Sequence, residues 1–330
     1  MDIFDLFSDS NTAKRNHKNV VLVDVSYFAQ RAFHGYFRSN EKVCHVSMRY
    51  TLLKTLLDRF NRMNINSHSH QIVMCYDSRN YWQTVSAPYY KCRRKLKREK
   101  SKDKKDWEGF SESMASLRKE FVEYFPFTVM MMDDISWTDK ETNLTHSNGM
   151  EADDVIGILA KRLTSEGKNV TVMTGDGDFT QLDYLPNLKI IGFDGKPAVP
   201  EYGCGYYDLL HKIINGDDKD DVANVNMRSN YWATKMEKEQ QTSAKSLARE
   251  ACSVDDPMSV LNEEQKKRFI ENRSLKDFNY IPQDLVDAVN QEFTDYQPNP
   301  ISKVRELFHY LKQNDMIIQD SLVDLIEKVL

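Results

Sequence analysis

Short apolar runs that stop at a carboxylate recur along the chain. Val20-Val-Leu-Val23 runs into Asp24, Ile72-Val-Met-Cys-Tyr76 into Asp77, and Val170-Thr-Val-Met-Thr-Gly175 into Asp176 and Asp178. Runs of this kind, bounded by turn residues, read as buried strands. They predict strands at 20–25, 71–76, 126–132, 169–174 and 188–193. Between them the apolar positions fall at helical spacing. Phe28 and Phe33 mark a helix after the first strand, and Leu52, Leu53, Leu56, Leu57, Phe60 and Met63 mark one over 45–63. An amphipathic stretch over 151–166 ends at Gly167. Strands alternating with helices predict parallel βαβ units, hence an α/β fold with a central, mostly parallel sheet flanked by helices. From about residue 200 the pattern is mostly helical, and Pro298 and Pro300 set off a last helix beginning near Ser302. There is no internal repeat and no coiled-coil pattern. The expected division is a flexible N-terminal peptide (1–18), an α/β domain (19–199) and a helical C-terminal domain (200–330).

In a parallel sheet the carboxyl ends of the strands share one edge, and ligands bind there. One Asp at a strand end is more often a cap or turn residue than a ligand. Joint occurrence changes that reading. Glu151, Asp153 and Asp154 fall within one turn at a helix start, Asp176 and Asp178 alternate with Gly175 and Gly177, and Asp217 and Asp220 follow Ile213-Ile-Asn-Gly216. Acids brought together this way cannot all stay ionised without a cation among them. Hard oxygen ligands select Mg²⁺ or Mn²⁺.

Bulk charge hides a second feature. The 330-residue chain has a net charge of -5, which does not suggest a nucleic-acid binder. Yet Lys91, Arg93, Arg94, Lys95, Lys97, Arg98, Lys100, Lys102, Lys104 and Lys105 are offset locally only by Glu99 and Asp103. Tyr81, Trp82, Tyr89, Tyr90 and Trp107 flank them. A generic charge run is a solvated helix face. A basic run with flanking aromatics suits a phosphate backbone with bases to stack on. Placed between two acid-bearing strands, residues of about 81–110 are positioned to arch over the carboxylates. The turn at about 213–228 is either a plain helix connection or an amide-lined seat for a DNA phosphate. The cysteines Cys44, Cys75, Cys92, Cys204 and Cys252 are scattered, odd in number and form no Cys-x-x-Cys pair, against a disulfide framework or zinc site. No apolar stretch approaches the ~18 residues of a membrane span, and the N-terminus lacks signal-peptide order. A cytoplasmic chain is expected.

The combination Leu22-Val-Asp24, Cys75-Tyr-Asp77, Pro88-x-Tyr90-Lys91-x-x-Arg94, Glu151-Ala-Asp153-Asp154, Asp176-Gly-Asp178-x-x-Gln181-Leu182 and Gly216-Asp217-x-x-Asp220 resembles the 5′-nucleases of the flap endonuclease superfamily. Trp107-Glu-Gly109 and Val225-x-x-Arg228-Ser229-x-x-Trp232 narrow the resemblance to the ribonuclease H group of T-even-like bacteriophages, which lacks the classical ribonuclease H fold. The likeness runs from about Val20 into the C-terminal helices. It implies a PIN-like sheet, a basic helical arch and a helix–three-turn–helix element over 214–228, which holds duplex backbone and, in the family, a monovalent cation.

It also implies two Mg²⁺ ions, replaceable by Mn²⁺. Asp24, Asp77, Glu151 and either Asp153 or Asp154 would hold the first; Asp178, Asp217 and Asp220 would surround the second, partly through water; Asp176 would lie near both. Lys91 and Arg94 would act with Asp176 at the scissile phosphate. Tyr90, Lys91, Arg93, Arg94, Lys95, Lys97, Arg98, Lys219 and Arg228 would meet nucleic acid. Asp221 stands where the family carries an asparagine. The implied activity is 5′→3′ exonuclease and flap endonuclease cleavage of RNA–DNA and DNA–DNA duplexes, removing primers in phage replication. Ile3, Phe4, Leu6 and Phe7 resemble peptides that dock on a phage sliding clamp, the alternative being a loose end packed on its own domain. A phage single-stranded DNA-binding protein is a further implied partner, and the chain is expected to be a monomer. A non-catalytic binding module is the first rival reading, set against acid motifs that are all occupied. A Mg²⁺ phosphatase of small molecules is the second; it has no use for the basic segment.

Overall fold

The computed structural model describes residues 17–36, 42–100, 105–236, 239–300, 303–314, 316 and 320–330. The N-terminal residues Ile3, Phe4, Leu6 and Phe7 lie outside them. In chain order the strands are β1 (Asn19–Asp24), β2 (His70–Tyr76), β3 (Thr128–Met131), β4 (Ile135–Thr138), β5 (Thr145–Asn148), β6 (Asn169–Met173) and β7 (Leu188–Ile191). The helices before β6 are α1 (Val25–Tyr36), α2 (His45–Arg62), α3 (Gln83–Ser86), α4 (Cys92–Lys100), α5 (Trp107–Tyr124) and α6 (Ala152–Ser165). Those after β7 are α7 (Gly205–Asn215), α8 (Tyr231–Thr234), α9 (Lys245–Ala251), α10 (Glu263–Lys276), α11 (Gln283–Asp295), α12 (Val304–Gln313) and α13 (Asp320–Val329). No helix among the described residues is long and apolar enough to cross a membrane.

The main sheet is parallel throughout, in the order β3-β2-β1-β6-β7. From β1 the chain moves out through β2 to β3, then returns past β1 to lay down β6 and β7. The strand order therefore reverses between β1 and β6, and a crevice opens at the carboxyl ends there. Both faces of the sheet are covered, which is why its strands are almost wholly apolar. Val21, Val23, Ile72 and Met74 face one way, into a core shared with α1, α2, α5, α12 and α13. Val20, Leu22, Val73, Cys75, Val170 and Val172 face the other way, against α6 and α11. The last helix is integral to the first core: Leu322, Ile326 and Val329 are fully buried in it, and Ser67 N donates to Val329 O at 2.8 Å. Leu209, Leu210, Ile213 and Ile214 of α7 form a separate cluster with α9 and α10.

Strand and helix positions follow the sequence reading closely, with the expected strand at 126–132 reduced to Thr128–Met131. The antiparallel β4–β5 pair has no counterpart in that reading. Its strands are short and polar, Ile-Ser-Trp-Thr and Thr-His-Ser-Asn, with only Trp137 buried, so they carry little hydrophobic signal. The turn after α7 passes through Gly216 (φ +77°), a 3₁₀ turn at Asp218–Asp220 and Asp221 in the left-handed region (φ +61°). Paired backbone bonds between Asp217 and Val222, at 2.9 and 3.0 Å, close it. The following segment is irregular until the single turn of α8.

Candidate active site

Three neighbouring strands deliver acids to the crevice. Asp24 is the last residue of β1, Asp77 follows β2, and Asp176 follows β6. Each is held by local backbone. Asp24 accepts from Tyr27 N and Thr174 Oγ1, both at 2.9 Å. Asp77 Oδ1 accepts from Ala152 N at 2.9 Å, at the head of α6. Asp176 Oδ1 accepts from Asp178 N at 3.0 Å. Helix α6 begins at the same edge and adds Glu151 and Asp153.

These carboxylates feel one another. Burial, then repulsion from Asp77 and, more weakly, Asp176, pushes Asp24 up to about 7. Asp153 is raised well above the usual range by burial and by Asp24 and Asp176. Asp176 is raised by burial and by Asp178. Glu151 rises to about 7, burial outweighing the attraction of Lys91. Carboxylates raised in this way would be stabilised in their ionised form by a cation placed among them. The donor set of Asp24, Asp77, Glu151, Asp153 and Asp176 is all oxygen and held from four elements, the ligand type a hard divalent ion takes, although among the described residues it is Asp178, Asp217 and Asp220 whose oxygens lie within 4.8 Å of one another.

The adjacent Asp154 has a different environment. It accepts from Trp82 Nε1 at 2.9 Å, Gln83 Nε2 at 3.1 and 3.3 Å, and Glu151 N at 3.3 Å. Its oxygens are engaged by the protein itself, and it ties α6 to α3.

Asp178, Asp217 and Asp220 form the second group, with one carboxylate oxygen of each within 4.8 Å of the others. A cation already stands there. Lys276 Nζ, at the end of α10, lies 2.7 Å from Asp178 Oδ2, 2.9 Å from Asp217 Oδ2 and 2.7 Å from Asp220 Oδ2. Lys212 pairs with the other oxygen of Asp178, and Arg94 Nη2 reaches Asp220 Oδ1 at 2.6 Å. The shifts reverse accordingly. Burial would raise Asp178 and Asp220, but Lys276 and its neighbours hold Asp178 well below the usual carboxylate range and Asp220 at about 2. The ammonium engages the same three carboxylates that a second divalent ion would use.

A pH dependence follows. Folded Asp24 and Glu151 bind a proton up to about pH 7, whereas their ordinary values are 3.8 and 4.5. A proton held more tightly by the folded chain stabilises it at low pH, and that stability is lost as pH rises through the folded value. Asp178 and Asp220 act oppositely, losing their contribution only below the ordinary value of 3.8. The melting temperature in EDTA should therefore peak in the mildly acid range. It should fall by roughly 2–4 °C per kcal/mol lost toward pH 8, and Mg²⁺ should abolish the fall. A metal-free curve that rises toward pH 8 would contradict the clustering of the acids.

The basic segment meets the acids from above. Lys91 (φ +53°) is partly buried, its side chain 10% exposed, pairs with Glu151, and lies 3.8 Å from Asp220 Oδ1. Burial would lower its pKa, but Asp220 and Glu151 raise it. Two expectations for this segment are corrected. Tyr90 is buried against Val222 and Leu275 with its hydroxyl donating to Glu151 Oε2 at 2.9 Å, so it offers no face to a base. The guanidinium of Arg93 is turned inward: it pairs with buried Asp221 and with Asp218, and lies 4.0 Å from the Trp232 ring centre. Asp221 thus bolts the start of α4 to the turn. Lys97, Arg98 and Lys100 are exposed on α4, with Arg98 over Trp107. Lys95 belongs to the same helix. Lys219 is exposed on the turn, and Arg228 is held by Glu239, Nη2 lying 2.7 Å from Oε2.

Lys276, Lys212 and Thr174 were not singled out from the sequence. A lysine in the last turn of a polar helix ordinarily complements the helix dipole, so Lys276 carried no signal.

Two family profiles match the chain: "5'-3' exonuclease, N-terminal resolvase-like domain" over residues 19–196, and "T4 RNase H, C terminal" over residues 203–324. The ribonuclease H of Enterobacteria phage T4 is 32% identical over 297 residues, covering 88% of this chain and 91% of that protein. Among solved structures, a bacteriophage T5 flap endonuclease pseudo-enzyme–product complex with DNA and metal ions superposes with a TM-score of 0.54 at 16% identity. The T5 5′-exonuclease with bound zinc ions gives 0.52, also at 16% identity. Each covers 84% of this chain and 98% of the other, and shows the likeness of fold.

Proposed function

The chain belongs to the 5′–3′ exonuclease family, and from that premise we propose that it is a metal-dependent 5′→3′ exonuclease and flap endonuclease of RNA–DNA and DNA–DNA duplexes. Its role would be removal of RNA primers from lagging-strand fragments during phage replication, inside the infected host cell. One observation carries the reading: mutually repelling carboxylates at the sheet's switch point meet a basic segment whose Lys91 pairs with Glu151 among them and whose Arg94 pairs with the neighbouring Asp220.

Asp24, Asp77, Glu151, Asp153 and Asp176 are the residues that would hold Mg²⁺, with Mn²⁺ able to replace it. A bound ion of this kind acidifies a coordinated water and neutralises charge developing on a phosphate. The protein's own residues do the rest. Lys91 and Arg94 are fixed by their carboxylate partners before any substrate arrives, so they present positive charge to a phosphodiester with little reorganisation. Partly buried Tyr81 and buried Tyr90 flank Lys91 at 5.6 and 5.0 Å from ring centre to Nζ. They lower the local dielectric and sharpen that charge. Lys97, Arg98 and Lys100 on the exposed face of α4, with Lys219 on the turn, would follow the backbone without reading sequence.

The test is cleavage of a 5′-flapped duplex and of an RNA–DNA hybrid, in Mg²⁺ and in EDTA, beside phosphate release from a generic monoester. Short 5′-derived products that vanish in EDTA are expected. Monoester turnover without duplex cutting would favour the small-molecule phosphatase.

Residues 1–10 are proposed to dock on a phage sliding clamp. Bulky Ile3, Phe4, Leu6 and Phe7 would serve as pocket anchors. Their deletion should remove clamp binding and spare basal cleavage; unchanged clamp binding rejects the proposal. A single-stranded DNA-binding protein is proposed to meet the helical C-terminal part, and the enzyme to act as a monomer. Sedimentation as a dimer, or no shift on adding that protein, would reject these.

A further inference from the structure

We propose that the Lys276 ammonium is the resident cation of the Asp178–Asp217–Asp220 pocket, so that this chain binds one divalent ion, in the Asp24 group, and keeps a fixed lysine in place of a second. The inference rests on the nuclease reading and deepens it.

Geometry argues first. An ammonium has three donors and no acceptor, and Lys276 aims one at each of three carboxylates, at 2.7, 2.9 and 2.7 Å. A divalent ion would draw in the same oxygens to about 2.0–2.6 Å. With those oxygens within 4.8 Å of one another, there is room for one cation among them.

Charge argues next. The three carboxylates of this pocket face Lys276, Lys212 and Arg94, and Asp220 also pairs with Lys91. The Asp24 group has five carboxylates and, among the described residues, only Lys91 paired directly with them, which it shares with Asp220. The demand for added positive charge is therefore on one side only.

Anchoring argues last. The Lys276 side chain is 2% exposed. Its backbone carbonyl is held by Gln181 Nε2 at 3.1 Å, and the preceding Leu275 is packed among Tyr89, Tyr90 and Val222. Withdrawing the ammonium would leave buried charges unpaired on both sides.

The consequence is a division of labour. An ion in the Asp24 group would supply an acidified water, whereas the lysine contributes a fixed single charge and hydrogen bonds, and cannot supply a hydroxide.

Counting bound Mn²⁺ on the full chain, by equilibrium dialysis with electron paramagnetic resonance, tests this directly. The wild type should bind a single ion, and Asp217→Asn should leave that count unchanged. Lys276→Met should double it. Two ions on the wild type, with one lost in Asp217→Asn, would overturn the inference and leave the nuclease reading intact. A folded Lys276→Met that still binds one ion would overturn it as well. No bound ion at all would overturn both. Should Lys276→Met fail to fold, the wild-type and Asp217→Asn counts decide.

Discussion

Asp153→Asn should lower kcat by about 100- to 1000-fold and, at the same time, raise the melting temperature of the metal-free protein. The two effects share one cause. Asp153 is driven well above the usual carboxylate range by burial and by Asp24 and Asp176, so at neutral pH its ionised form opposes folding. A neutral amide of the same shape relieves that repulsion and removes a ligand. Its neighbour should behave in the opposite way. Asp154 accepts from Trp82, Gln83 and the Glu151 backbone, and an amide there turns donors against donors. The expected cost is about 1–3 kcal/mol of stability with a milder 10- to 100-fold loss of activity. Thermal melts in EDTA and single-turnover cleavage of a flapped duplex read both quantities. An inactive Asp154→Asn beside an active Asp153→Asn would exchange the two roles.

Gly205→Ala should be among the most disruptive single changes, although Gly205 touches no acid of the site. Gly205 opens α7, and a Cβ placed there would lie 1.6 Å from the carbonyl oxygen of Thr180 and 2.9 Å from Gln181 N. Both are backbone atoms that cannot swing aside. Gly205 N donates to Asp183 Oδ2 at 2.7 Å, and Thr180 Oγ1 donates to Asp208 Oδ2 at 2.8 Å. Helix α7 is thereby clamped onto the Gly177–Leu182 turn. A methyl group forces them apart, at about 3 kcal/mol or more, or a melting temperature lower by about 5–10 °C. It also separates Asp178 on one side from Asp217 and Asp220 on the other. Gly35→Ala, in α1 with nothing within 4 Å of the added atom, is the control and should be neutral or slightly stabilising. Equal melting temperatures for the two variants would refute the clamp.

The sheet was legible because its strands are buried on both faces and end in acids, a pattern that needs no tertiary knowledge. The acids were legible for the same reason: strand ends fix them to one edge whatever the loops do. Which of Asp153 and Asp154 faces the crevice was not legible. Adjacent residues on a helix differ by about 100° of rotation, and only the position of Trp82 and Gln83 shows which side is already occupied. The basic run was readable as charge but not as direction. Arg93 turns inward because Asp221 is buried beside it. Lys276 was invisible, since a single lysine at a helix end acquires meaning only when three distant carboxylates surround it.

The placement of α13 has a consequence for biosynthesis. Leu322, Ile326 and Val329 complete the core that begins at Val21, so β1 is finished by a helix made long after it. On the ribosome, at about 5–20 residues per second, the sheet is complete by β7 and then waits roughly 7–27 s for α13. During that interval an apolar face lies open beside a nascent carboxylate cluster. Chaperone engagement should concentrate in this window, and activity should appear only once α13 has docked.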